Sequence, residues 1–384
     1  MVIHYTHSYV HNSGELKRMK NIDKDVVDLL GGKSVEIEFY PISKYKYVHR
    51  EGQYLLSDNV IKKYYVPNMR IFGRIFHIFI FIYVLFKYKP LYIIGEMMMY
   101  PEYFGIFRIF NKKCKLIFDI HGAAAEECEY QGMPLDVVEK VRQTEKKSVQ
   151  KVDYIICQSS EMKEYLCNEY SVPSSKVCVY RCGVDNSLFF INPGKRKEIR
   201  ALLGFEDKDV VFVYSGGLHS WQRVSESIDI FERYHTINPE SKLLVLTGSS
   251  NELLTLLKEK MIDNSDNHIL TRCLNYNEVP DYLNACDIAF LLRHNHKMNA
   301  VASPTKLAEY LACGLPVITS DVAEKWVTKE GLSFFVQEHD PSINDAITSI
   351  IRNTSKESIY KYSQDYLSLR VDKKNISDFF ENNL

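Results

Sequence analysis

Short apolar runs bounded by turn residues alternate with helix-period segments along nearly all 384 residues, and no feature constrains the fold more. Strands that are apolar on both faces, each followed by an amphipathic helix, are the pattern of a parallel sheet covered on both sides. An α/β protein is therefore expected. In the first half, strands are expected near 2–6, 35–39, 91–94, 115–119, 153–157 and 177–180, with helices over 134–152 and 160–169. The alternation then restarts, with strands near 210–214, 242–247, 269–272, 288–292, 316–319 and 333–336, and after Ser355 the pattern stays helical to the end. Two doubly wound units in tandem follow, in keeping with a length beyond what one hydrophobic core fills. The join is expected at the loop Asn192-Pro193-Gly194, giving domains over 1–191 and 192–364.

Composition narrows the partners. Hydrophobic residues at 46% and charged residues at 25% exclude disordered and fibrous chains. Lys+Arg number 48 against 49 Asp+Glu, so no overall field favours nucleic acid. Residues 1–120 nevertheless hold 18 Lys+Arg against 11 Asp+Glu, partly interleaved with aromatics, as in Lys44-Tyr45-Lys46-Tyr47 and Lys62-Lys63-Tyr64-Tyr65. That texture suits an anionic membrane surface or a phosphate-bearing acceptor, and equally a solvated face. Nine cysteines without a CxxC or a zinc-ligand spacing fit a reducing compartment. With no secretory signal pattern at the start, the expected location is cytoplasmic, with peripheral attachment to the inner membrane face left open. The run Ile75–Phe86 is apolar nearly all round but about half the length of a spanning helix, so a core or interfacial helix is expected there.

In sheets of this kind ligands bind beyond the carboxyl ends of the strands, so two facing units are expected to share a central cleft lined by such loops. The most informative stretch runs from Ser303-Pro304-Thr305-Lys306 through Glu309 to Gly314-Leu315-Pro316. It reads as a strand ending at Arg293, an open loop, a helix over 305–313 capped by Ser303 or its neighbour and closed by Gly314, then another strand. Free amides and the positive dipole end at the helix start suit a phosphate, Lys306 adds charge, and Glu309 one turn on suits a ribose diol. Each residue taken alone is equally an ordinary exposed helix residue. His121-Gly122 lies just past a strand end, where loops carry function. Gly14 lies at a strand-to-helix turn, and a functional turn there turns Lys17 and Arg18 toward an acceptor phosphate. Gly248 follows another strand and is expected near the nucleotide base, while Met97-Met98-Met99 reads as packing or an adaptable lipid contact.

Ser-Pro-Thr-Lys followed by Glu-Tyr-Leu-Ala-Cys-Gly-Leu-Pro-Val-Ile resembles the nucleotide-sugar motif of the retaining glycosyltransferases of family four, which have the GT-B fold. The similarity extends over most of the chain: Phe118-Asp119-Ile120-His121-Gly122 with Glu126-Glu127, Val152-Asp153-Tyr154-Ile155-Ile156, Arg181-Cys182-Gly183-Val184-Asp185 with Phe189, and Tyr214-Ser215-Gly216-Gly217. The resemblance implies two Rossmann-like domains, with a last helix at about 365–384 crossing back to the first. It implies a C-terminal domain that binds a UDP- or GDP-linked sugar and an N-terminal domain that binds a glycan or lipid-linked acceptor. It also implies retention of configuration, no metal or other cofactor, and a role in cell-surface polysaccharide synthesis.

Carried over residue by residue, the donor site comprises Gly216, Gly217, Arg223, Gly248, Arg293, Ser303, Pro304, Thr305, Lys306 and Glu309. His121, Lys306 and Glu309 stand as the catalytic group, and Gly14, Lys17, Arg18, Asp119 and Glu126 as the acceptor group. Glu309 matches the second Glu of the family's Glu-x(7)-Glu pair, but Val301 stands where the first would be, with Ser303, Asn299 or backbone amides as substitutes. Of the basic pair usual after the Gly-Gly loop only Arg223 remains, which makes Lys306 and Arg293 candidates for the missing charge. Such cations stabilise the negative charge left on a departing nucleotide diphosphate. An inverting transferase or nucleotide-sugar epimerase using Asp119, Glu126 or His121 as base, and an inactive nucleotide-binding scaffold, remain alternatives.

Overall fold

Strands that are apolar on both faces need helices above and below, and every strand pair here is parallel. The computed structural model describes residues 1–7, 14–30, 32–41, 58–68, 70–96, 109, 111–181, 183–262, 264 and 267–383, with backbone alone at 4–7, 14–17, 38–41, 65–68, 70–78 and 323–324. They form two units, Met1–Arg181 with Asp372–Leu384, and Cys182–Val371.

The first unit carries β1 (Val2–His7), β2 (Ser34–Pro41), β3 (Val60–Asn68), β4 (Tyr92–Gly95), β5 (Lys115–Ile120), β6 (Tyr154–Cys157) and β7 (Val177–Val179), in the order β3-β2-β1-β4-β5-β6-β7. Edge strand β3 is the one strand the sequence pattern does not announce. Its Lys62-Lys63 pair breaks the apolar run, yet Lys63 Nζ reaches Glu36 at 2.7 Å with both side chains buried, so the lysines read as surface texture sit on a sheet edge. The sequences at 44–47 and 97–99 lie outside the described residues.

The apolar run at 75–86 belongs to the helix Arg70–Tyr88. In its second half Phe81, Val84 and Leu85 are buried while Phe79, Tyr83 and Phe86 are exposed. Among the described residues no helix is long and apolar enough to cross a membrane.

The last helix, Leu369–Asn383, returns to the first unit. Its Ile376 and Phe380 join Val2, Ile94, Ile117 and Ile156 in one core, and Tyr154 packs edge-on against Phe379 and Phe380 while its hydroxyl donates to the Asn383 carbonyl at 2.7 Å.

The second unit carries β8 (Val211–Ser215), β9 (Lys242–Leu246), β10 (Ile269–Arg272), β11 (Ile288–Leu291), β12 (Val317–Thr319) and β13 (Phe335–Gln337), in the order β10-β9-β8-β11-β12-β13. The period of two sorts β8 between two cores: Val211 and Val213 face one, Phe212 and Tyr214 the other. The border lies at Arg181/Cys182, ahead of the loop at 192–194, because Val184 and Phe189 are already buried in the second core. The loop itself is a helix cap, with the Asn192 side chain accepting from the Lys195 amide at 3.0 Å ahead of Pro193–Leu203. Outgoing and returning segments clasp each other, as Val184 donates to the Leu367 carbonyl and Leu369 donates to that of Val184.

Strand order reverses between β8 and β11 in the second sheet and between β1 and β4 in the first. At such switch points the loops diverge and leave a crevice beyond the strand ends.

Candidate active site

In the second unit the chain past β8 is Gly216-Gly217 and the chain past β11 is Leu292-Arg293, so these residues flank the switch point. The helix Thr305–Ala312 follows Pro304, which stands at the N-cap position and makes no side-chain cap hydrogen bond. Of Ser303 and its neighbour, the two residues expected at the cap, it is the neighbour Pro304 that occupies the N-cap position. The helix is fixed by Tyr310, fully buried, whose hydroxyl accepts from the Ser215 amide at 2.9 Å, and it ends at Gly314, whose φ of 72° suits a residue without Cβ.

Lys306, in the first turn, donates from Nζ to Gln222 Oε1 at 2.9 Å and to the Tyr214 hydroxyl at 3.2 Å, and lies 4.7 Å from the Tyr214 ring centroid. Its Nζ and Cε fill the space that a Cβ on Gly216 would take, and Gly216 holds φ at 133°. Burial pushes the Lys306 amine well below its ordinary range and neighbouring Arg293 pushes the same way, against the pull of Glu309. Arg293 is 7% exposed, donates to its neighbour's carbonyl at Leu292 (2.8 Å), and is likewise shifted down by burial. No carboxylate pairs with Lys306 or Arg293 among the described residues, although an unpaired buried cation is costly. Glu309, one turn along, is buried and accepts from the Tyr276 hydroxyl at 3.1 Å.

Gly216→Ala brings a Cβ onto the Lys306 ammonium and a side chain into a left-handed backbone. The expected result is a displaced Lys306, a lower melting temperature and weakened nucleoside-diphosphate binding, read together by differential scanning fluorimetry with and without ligand.

In the first unit β5 delivers Asp119, fully buried, followed by His121 at the strand end. Asp119 Oδ1 accepts from Arg18 Nη2 at 2.6 Å and Oδ2 lies 2.8 Å from His121 Nε2. Burial pushes the Asp119 carboxyl up, but Arg18 and His121 outweigh it and hold the carboxyl well below the usual range. For His121 burial disfavours the charge, yet the same carboxylate raises the imidazole above its ordinary value. Glu96, just past β4, completes a group whose ligand atoms with Asp119 and His121 lie within 4.8 Å of one another. Both Asp119 oxygens are engaged, so a cation entering there meets the Arg18 guanidinium. The donor set fits a charge network better than a metal centre.

Residues 195–365 match the family model of the glycosyl transferases group 1, and residues 48–188 match that of glycosyltransferase family 4. The chain is a glycosyltransferase. Among solved structures, HepE from Anabaena in complex with UDP superposes with a TM-score of 0.74 at 14% identity over 100% of both chains. A glycosyltransferase from Rickettsia africae gives 0.68 at 14% over 99% of this chain and 98% of that one. The lipopolysaccharide outer core galactosyltransferase WaaB gives 0.67 at 15% over 100% of each. These likenesses establish the GT-B fold expected from the sequence. No curated protein sequence matches the chain.

The transferase brings Gly216, Arg293, Thr305, Lys306 and Glu309 together, with Ser303 and Pro304 leading into the helix. Gly217 is tied down by its carbonyl, which accepts from Tyr214 at 2.5 Å, and Gly248 is exposed past β9. Arg223 departs from expectation: it is held by Glu226 at 3.0 Å and Glu338 at 2.5 Å, so its charge is already balanced. Asn299 is likewise committed, its amide donating to the His294 carbonyl at 2.8 Å, and Val301 is buried.

The acceptor group is corrected in part. Arg18, 4% exposed, spends its guanidinium on Asp119 and the carbonyls of Tyr180 and Arg181, so it positions the site from beneath and does not face a ligand. Asp119 is sealed under it. Glu126 is buried against Arg142 at 2.7 Å and Tyr165 at 3.1 Å. Gly14 opens the helix Gly14–Leu30, and the Lys17 side chain lies outside the described residues. The first-turn amides of Ala124 and Ala125 are taken by buried Glu145, at 2.8 and 3.3 Å.

The sequence reading gave no role to Tyr214 and Gln222, which it met only as motif letters, passed over Tyr276, and chose Glu126 over Glu127, the carboxylate that leans over Gly122. The helix Ala124–Tyr130 starts close enough to the strand end that one residue's rotation decides which Glu faces the loop.

Proposed function

We propose that this glycosyltransferase moves a hexose, with retention and without a metal, from a uridine-diphosphate sugar to a glycan or lipid-linked acceptor in cell-surface polysaccharide synthesis. One observation carries the reading: buried Arg293 and partly buried Lys306, neither with a carboxylate partner among the described residues, lie near each other at the start of the helix Thr305–Ala312, with Glu309 one turn beyond. A pyrophosphate supplies the missing negative charge, and a ribose diol fits the carboxylate. UDP as the nucleotide follows the UDP-bound HepE structure, with GDP the competing choice.

As the bond between sugar and diphosphate breaks, negative charge grows on the leaving phosphate while the ring gains positive character. The helix amides, Lys306 and Arg293 stabilise that charge without a proton donor. In retention the leaving oxygen is on the face of attack and itself takes the acceptor hydroxyl's proton. Burial of Asp119 and Glu126 in ion pairs supports retention, since it removes two of the three bases an inverting or epimerising site would draw on. His121, its Nε2 engaged by Asp119, is the remaining titratable candidate on the acceptor-binding unit. Exposed Phe79, Tyr83 and Phe86, spaced along one side of their helix with Lys87 beside them, support peripheral docking on an anionic membrane surface.

Thermal-shift titration with UDP, GDP and their sugars tests the donor, because a ligand bound only by the folded state raises the midpoint. A shift with UDP is expected; no shift with any nucleoside diphosphate sinks the proposal. The anomeric configuration of the product, by proton NMR, tests retention.

A further inference from the structure

A carboxylate that reads a ribose diol must be held in one orientation, and Glu309 has a holder that no part of the resemblance assigns. The Tyr276 hydroxyl donates to Glu309 Oε1 at 3.1 Å, and burial, with that carboxylate adding to it, raises the phenol well above its ordinary range. The tyrosine is itself braced. Its ring packs on Phe189, fully buried, at 5.4 Å between centroids. The short 3-10 turn Tyr276–Glu278 is closed by a reciprocal capping box in which the Asn275 side chain accepts from the Glu278 amide and the Asn275 amide donates to Glu278 Oε2 at 2.8 Å. A chain of contacts therefore runs from Phe189 through Tyr276 to the carboxylate.

We propose that Tyr276 is a positioning residue that fixes the Glu309 carboxylate for the ribose of the nucleotide donor, and thereby sets the enzyme's preference for ribo- over 2′-deoxyribonucleotides. The proposal rests on the reading that Glu309 meets the ribose. A hydroxyl group donating to a fixed carboxylate is discriminated far more sharply than one facing a carboxylate free to swing away, because the swinging group satisfies itself elsewhere at little cost. Tyr276→Phe keeps the ring on Phe189 and removes only the donor.

The test compares dissociation constants of UDP and 2′-deoxy-UDP by isothermal titration calorimetry in the wild-type protein, Tyr276→Phe and Glu309→Ala, with inorganic pyrophosphate as control and the guanosine pair run alongside. The wild type is expected to prefer the ribonucleotide about tenfold or more. Tyr276→Phe is expected to bring that ratio down to about threefold or less while leaving pyrophosphate affinity and melting temperature near wild type. A structural role alone weakens all ligands together and leaves the ratio standing, which overturns the proposal. If Glu309→Ala abolishes the preference and Tyr276→Phe does not, the ribose reading holds and the positioning role falls. If Glu309→Ala keeps the full preference, the ribose reading itself fails.

Discussion

Lys306→Met lowers the sugar-transfer rate by about a hundred- to a thousandfold, the range seen when one preorganised stabiliser of transition-state charge is removed. The side chain makes no ion pair whose loss leaves a stranded acid, and methionine fills the apolar volume over the Tyr214 ring. The fold therefore survives, and the loss falls on the chemistry and on binding of the diphosphate. Without Lys306 only Arg293 and the helix amides face the departing charge. The pH profile carries a second signature. Burial and Arg293 hold the Lys306 amine well below its ordinary value in the ligand-free protein, so donor affinity declines with rising pH through that lowered value, earlier than an unperturbed lysine near about 10.4 allows. Lys306→Met loses that decline. Steady-state rates against pH, with the donor varied at fixed acceptor, check both effects.

Asp119→Ala destabilises the first unit by about 3–5 kcal/mol, because removing one partner leaves the Arg18 guanidinium buried without its counter-charge. The direction with pH follows from the carboxyl's shift. Its value in the folded protein lies below the unfolded one, so its contribution is fully present above about pH 4 and fades as pH falls toward the folded value. The wild type accordingly loses stability on acidification through that window, and Asp119→Ala flattens the slope. Urea unfolding followed by circular dichroism at several pH values measures it. His121 shifts too: without the Asp119 carboxylate, burial and Arg18 push the imidazole down against Glu96 alone, a downward shift that proton NMR of the ring detects.

The sheets were legible because their strands are buried on both faces and leave unbroken apolar runs, as in Val211–Ser215 and Ile288–Leu291. Edge strand β3 was hidden for the opposite reason, since exposed Lys62 and ion-paired Lys63 interrupt its apolar run. Motif letters picked out Lys306, Glu309 and Gly216, which the structure brings near one another. They misjudged Arg223 and Arg18, because whether a cation is spent depends on carboxylates far away in sequence, Glu338 for the one and Asp119 for the other. Tyr276 was invisible for the same reason: 33 residues separate it from the carboxylate it holds, and nothing nearby marks it.

Lys306 and Arg293, proposed to face the diphosphate, differ physically from cations carried on a flexible loop. Arg293 is buried, Lys306 is partly buried, and both lie near Tyr214, Arg293 through electrostatics and Lys306 through direct contact. The charge is thus preorganised before the donor arrives, where a lysine on a flexible loop loses side-chain entropy on binding.

A crystal structure of the protein soaked with UDP asks most directly whether the start of the helix Thr305–Ala312 is the diphosphate site. The expected density has phosphate oxygens on the amides of Thr305 and Lys306, the Lys306 ammonium and Arg293 guanidinium turned onto them, and the ribose hydroxyls on Glu309. A diphosphate bound away from that helix, with Lys306 still on Gln222 and Tyr214, contradicts it.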